Sequence, residues 1–214
     1  MDIIFETVMN LLGFSIGMLI AKFAYTGYRS VGSPTLLRLG SAFAAISLGF
    51  FLLWIHAIAD ILMFNINLEV LLVAGLGVQA VGYFFLAFSY SIQSLTFKHM
   101  APAIALVSIA IAPLFIIPGN SIEHIIRSIS FILLVYGATQ TMVSYMWSRR
   151  KGTLIIASGL SMLALGEFIG WYNFIYPGSM FYYISVIVKI VGISAVFVPL
   201  YQFPIRRVKV GSSV

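Results

Sequence analysis

Two ionisable residues stand inside otherwise apolar stretches. Glu167 lies in Ala164-Leu165-Gly166-Glu167-Phe168-Ile169, and Lys189 lies in Val186-Ile187-Val188-Lys189-Ile190-Val191. In a helix crossing hydrocarbon, each charge costs roughly 2.5–3.5 kcal/mol on insertion scales, so such residues pair with one another or line a cavity. The chemistry they offer is an ion pair at a ligand or ion site, with the amides of Gln79 and Asn173 as candidate neighbours. The same two residues could equally form a salt bridge that only fixes helix packing. A weaker pair, His56 and Asp60, is spaced one helical turn apart and could share a proton or a metal ion at the end of a helix. An interfacial hydrogen bond is the commoner use of such a pair.

Little else in the chain is suited to chemistry. There is no cysteine, which removes thiolate nucleophiles, disulfides and sulfur-ligated metals. No zinc-protease, nucleophile-elbow or nucleotide-loop motif occurs, and the remaining histidines, His99 and His124, form no one-turn ligand pair. No cofactor or metal is expected, and enzyme is the class least supported.

The elements that must hold these residues are membrane helices. Of 214 residues, 61% are hydrophobic and 8% charged, far below the roughly 25% charged that keeps a soluble domain wet. The mean hydropathy is +1.07. Apolar runs predict spans over Ile4–Ala24, Leu36–Ile58, Leu71–Ser91, Pro102–Ile117, Ile126–Trp147, Thr153–Tyr172 and Met180–Gln202. Turn chemistry separates them, as at Gly32-Ser33-Pro34, Asn65-Ile66-Asn67, Pro118-Gly119-Asn120 and Pro177-Gly178-Ser179. The fourth run is the shortest and carries Pro113, which would kink it. The N-terminal run follows Asp2 and Glu6 rather than a basic segment, so it is read as a permanent span and not a signal peptide.

Charge sets the orientation. With seven spans, one side collects Lys22, Arg29, Arg38, Lys98, Arg149, Arg150, Lys151, Arg206, Arg207 and Lys209. The other collects Asp2, Glu6, Asp60, Glu69 and Glu123, with Arg127 as its single cation. By the positive-inside rule the N-terminus is outside and the C-terminus cytoplasmic. The net charge of +6 is thereby explained by topology and anionic headgroups, and no nucleic-acid partner is expected. The location implied is the plasma membrane, multi-pass, with the bilayer as first partner.

The chain also resembles itself. Leu48-Gly49-Phe50-Phe51-Leu52-Leu53-Trp54 aligns with Leu165-Gly166-Glu167-Phe168-Ile169-Gly170-Trp171, and the match runs back through Ser41 with Ser158 to Leu37 with Leu154. Val78-Gln79-Ala80-Val81-Gly82 aligns with Val188-Lys189-Ile190-Val191-Gly192, and Tyr25 and Arg29 parallel Tyr145 and Arg149. An offset of four spans keeps both copies in the same direction. The expected fold is therefore an all-α, seven-helix membrane bundle of 3+1+3 plan. It consists of one domain over 1–214, with a first repeat over about 4–95, a linker helix over about 101–118, a second repeat over about 122–203 and a basic tail over 204–214.

Two functions fit this plan. The first is a receptor-like or sensory bundle, or an accessory subunit of a membrane complex, with a small apolar ligand site near the midplane. Its motive is the small number of buried polar groups, and a sensor of this kind would signal through a separate membrane or cytoplasmic subunit at the basic loops. The second is a small solute or ion transporter centred on Glu167 and Lys189. A lysine midway along the seventh span is similar to the retinal-binding lysine of microbial rhodopsins. The third span, however, carries no acid to hold a Schiff base, and Ser185 stands one turn before the lysine, so retinal is not expected.

Overall fold

The computed structural model describes residues 3–63, 68–91, 122–175 and 179–211. They form six α-helices: α1 (Ile3–Val31), α2 (Pro34–Ile61), α3 (Leu68–Ser91), α4 (Ile122–Ser148), α5 (Lys151–Ile175) and α6 (Ser179–Gly211). All six are long and apolar enough to cross a bilayer, and the protein is a multi-pass helical membrane protein. The expected fourth span, Pro102–Ile117, lies outside the described residues. The segment 204–214, read from sequence as a tail, continues the last helix as far as Gly211.

The helices close into a ring in which each packs on its chain neighbours, α3 packs on α4 and α6 returns to α1. Ring contacts fix the direction of that last pair. Phe5 meets Tyr183 at 4.8 Å between centroids near one end, and Phe23 meets Tyr201 at 5.8 Å near the other, so α1 and α6 run parallel. The close contacts along α1–α2, α2–α3, α4–α5 and α5–α6 are all antiparallel. Hence α1, α3, α4 and α6 share one direction, and α2 and α5 run against it. Lys22, Arg29, Arg38, Arg149, Arg150 and Lys151 accordingly fall toward one end of the bundle, and Glu6, Asp60, Glu69 and Glu123 toward the other.

Several contacts within α1–α3 have counterparts within α4–α6. Between α1 and α2, Gly32 N–H donates to Tyr28 O at 2.7 Å and Leu36 N–H to Ser33 O at 3.0 Å. Between α4 and α5, Arg149 N–H donates to Tyr145 O at 2.7 Å and Thr153 N–H to Arg150 O at 3.0 Å. Gly32 and Arg149 both take positive φ, 69° and 52°, a conformation free for glycine and costly for arginine. Phe14 and Phe51 pair at 5.2 Å and 42°, and Phe131 and Phe168 at 5.5 Å and 40°. A Cβ on Gly82 would sit 2.8 Å from Ala42 O and 2.9 Å from Ile46 N; one on Gly192 would sit 2.9 Å from Gly159 O and 3.0 Å from Leu163 N. The turn thus pairs Tyr28, not Tyr25, with Tyr145. The match of Tyr25 and Arg29 with Tyr145 and Arg149 read from sequence differs from this pairing by about one helical turn, a shift that leaves a helix's apolar pattern nearly unchanged.

From the network described below toward the basic end, the interior is filled. Ile20, Phe43, Ile46, Leu86, Leu134, Leu160, Leu163, Ile193 and Val196 form one buried cluster.

Candidate functional site: a buried ion-pair network

Glu167 is on α5 and Lys189 on α6, and glycines bring the two helices together. A Cβ on Gly166 would lie 2.6 Å from Lys189 Cγ and 3.1 Å from Ser185 O, so only a glycine lets the lysine stem pass. Ser185 Oγ closes the crossing by donating to Gly166 O at 2.8 Å. The lysine then reaches the neighbouring carboxylate, with Nζ 2.6 Å from Glu167 Oε1. Glu167 is 1% exposed and Lys189 5% exposed, so neither charge is left to bulk water.

A third charge completes the centre, and it is one that sequence reasoning misplaced. Arg127, read from sequence as an isolated cation on the outer side, is buried on α4. Its Nη1 lies 3.5 Å from Glu167 Oε2, and its Nε donates to Glu123 Oε1 at 2.8 Å. Gly170 makes the space, since a Cβ there would be 2.8 Å from Nη1. The signal was present in Glu123 four residues before Arg127 and in Gly170 three residues after Glu167. What hid it was the position of Arg127 at the edge of the apolar run, where a cation ordinarily snorkels to water. Tyr83 of α3 reaches across the ring and donates to Glu167 Oε1 at 3.4 Å. Toward the acidic end, the Tyr182 hydroxyl bonds to Glu6 of α1.

The result is a chain of alternating charge, Glu123–Arg127–Glu167–Lys189, carried by three successive helices and joined to a fourth through Tyr83. Its formal charge sums to zero. The Glu123 side chain is 27% exposed and that of Glu167 2%, so the chain leads from the acidic end of the bundle into its interior.

The other residues singled out from sequence fall elsewhere. Gln79 is fully buried and passes Gly49 of α2 as Lys189 passes Gly166, but its amide nitrogen and oxygen make no hydrogen bond among the described residues. Asn10 of α1 aligns with Arg127 on the same offset as Trp54 with Trp171, and its Nδ2 is likewise buried with no hydrogen bond among the described residues. Phe50 occupies the place of Glu167. Leu53, packed at 2.9 Å on the Cβ position of Gly75, replaces Gly170 facing Ser185. Asn173, six residues beyond Glu167, lies about 9 Å further along α5 and about 120° around it, and is half-buried. His56 is half-buried, its Nδ1 making no hydrogen bond among the described residues, while Asp60 is exposed. Among the described residues no group of side chains has the composition to hold a metal ion.

Beside the network lies a groove of about 500 Å³ between α4 and α5, lined by Phe131, Val135, Ala138, Thr139 and Met142 on one helix and Ser161, Ala164, Leu165 and Phe168 on the other. Its two hydroxyls are already spent within their own helices, Thr139 donating to Val135 O at 2.8 Å and Ser161 to Ala157 O at 2.9 Å. The walls therefore offer an occupant no free donor. Comparison with family models, with curated proteins and with solved structures finds no match to this chain.

Proposed function

We propose that this protein is a receptor-like membrane bundle that takes a small apolar molecule from the bilayer into the α4–α5 groove. In this reading the buried ion-pair network responds to the occupied groove. The observation that carries it is the sharing of wall and network along the same two helices: Phe131 is one turn from Arg127, and Phe168 is adjacent to Glu167. A molecule that spreads α4 from α5 changes the Arg127–Glu167 separation directly. At about 500 Å³ the groove falls within the range of small-molecule sites. A transporter centred on Glu167 and Lys189 would need polar groups leading to both ends, whereas the described interior toward the basic end is apolar.

The reading includes a plan of seven crossings built as two parallel triplets, with the acidic end outside and the basic end cytoplasmic. The repeated turn, ring pair and glycine contacts support the duplication. Helix direction supports a seventh crossing, since α3 ends at the basic end and α4 begins at the acidic end. Enzymatic activity has no part in this reading.

The test is labelling of the protein in nanodiscs with a photoactivatable alkane. The expected adducts concentrate on residues 131–142 and 161–168, and Ser161→Phe or Thr139→Phe, both on the groove wall, removes them. Labelling spread evenly over all lipid-facing helices would overturn the reading, as would solute or proton flux in vesicles that depends on Glu167.

A further inference from the structure

The groove and the network together specify more than an apolar occupant. Phe131 and Phe168 close the groove at the end nearest Arg127, their ring centroids 5.5 Å apart. One turn beyond them, Arg127 has its Nε edge held by Glu123 of its own helix and its Nη1 by Glu167. The two holders differ. Glu167 is anchored by Lys189 and Tyr83 and buried on every side, so it cannot leave without stranding Lys189. Glu123 is an i,i+4 partner with its side chain 27% exposed, and it can swing into water for a small loss. When it does, Arg127 presents the edge of its planar fork toward the acidic end, and the remaining Arg127–Glu167–Lys189 triad carries one net positive charge. A carboxylate arriving there restores neutrality and meets the geometry that Glu123 now satisfies.

We propose that the occupant is a single-chain amphipath with a carboxylate head, its chain in the α4–α5 groove and its head on Arg127 in place of Glu123. The inference rests on the groove reading above. The rings of Phe131 and Phe168 touch, so the ligand crosses their exposed outer edge between groove and Arg127 rather than passing between them. The groove is one helix seam wide, and its wall runs along α4 from Phe131 to Met142, about 16 Å. That shape favours one free chain over the paired chains of a phospholipid.

The experiment is titration of the whole protein in phosphatidylcholine nanodiscs with dodecanoate, dodecanol and dodecyltrimethylammonium, followed by thermal unfolding and by tryptophan emission. Dodecanoate is expected to bind about tenfold more tightly than dodecanol, the value of one charge-assisted hydrogen-bond pair, and the ammonium compound most weakly. Arg127→Gln should erase the preference for dodecanoate. Because that variant disturbs a buried network, Glu123→Gln is the independent check: it withdraws the resident carboxylate and should raise the preference for dodecanoate over dodecanol severalfold. Equal affinity for dodecanoate and dodecanol, in both the native protein and Glu123→Gln, would overturn the head-group assignment and leave the apolar groove standing. If none of the three binds in a manner sensitive to Ser161→Phe, the groove reading itself falls. Loss of dodecanoate binding in phosphatidylglycerol nanodiscs would assign the site to a phospholipid head group and overturn the single-chain ligand.

Discussion

Glu167 is held from three helices at once: by Lys189 from α6, by Arg127 from α4 and by Tyr83 from α3. Removing one member of such a group leaves a buried charge without its partner, which costs about 3–5 kcal/mol. Glu167→Gln and Lys189→Met are each expected to lose that amount in reversible unfolding in detergent. The double variant should lose less than the sum, a coupling that is the signature of direct contact. Strict additivity would mean that the 2.6 Å contact carries no energy. The first triplet gives the opposite expectation, because the Gln79 amide is buried with neither atom bonded among the described residues. Gln79→Leu should leave stability unchanged or raise it by about 1–3 kcal/mol, whereas Lys189→Leu lowers it. A large loss from Gln79→Leu would show that the amide is satisfied by something beyond the protein's own groups.

Helix contact in this bundle depends on where a side chain is missing. A Cβ at Gly192 would press on the backbone of Gly159 and Leu163, which cannot rotate away, while one at Gly77 would meet nothing within 4 Å. Gly192→Ala is therefore expected to destabilise by about 1–3 kcal/mol through forced separation of α5 and α6. Gly77→Ala should be neutral or gain up to about 1 kcal/mol from helix propensity. The two variants compared by thermal unfolding in one detergent check the packing, and equal effects would refute it. The matching exchange between triplets is visible in the same terms. Gly75 faces Leu53 in the first, and Ser185 faces Gly170 in the second, so bulk lost on one helix is regained on its partner.

For the molecule as a whole, the separation of charge between the two ends makes orientation testable. Reporter fusions within the Arg149–Lys151 turn and after Val214 should both report cytoplasm, and a fusion ahead of Ile3 should report the outside. An external signal from the Arg149 turn would reverse the bundle and bring the network's entrance to the cytoplasmic face. The groove reading survives such a reversal, but the source of any charged ligand would then be intracellular.

Much of this protein was written into local sequence. The apolar runs, the turn residues and the sorting of acids from bases follow from hydrophobicity and from the position of charge along the chain, and these set the class and the helices. Repeated Gly-x-x-x-x-Trp segments point to a duplication of the triplets, although a helical pattern tolerates a one-turn shift and leaves the register of the first and fifth spans open. Glu167 and Lys189 stood out because an isolated charge in an apolar run has no other explanation. Arg127 did not, since a cation near a helix end looks solvated until the neighbouring helix is seen to cover it. Asn173 and Gln79 looked equally available as partners. Only the ring of helices, with its glycine crossings, decided that Tyr83 joins the network and that the Gln79 amide makes no hydrogen bond to it. That decision belongs to tertiary structure because it depends on which faces of separate helices meet, a relation that no single helix's sequence contains.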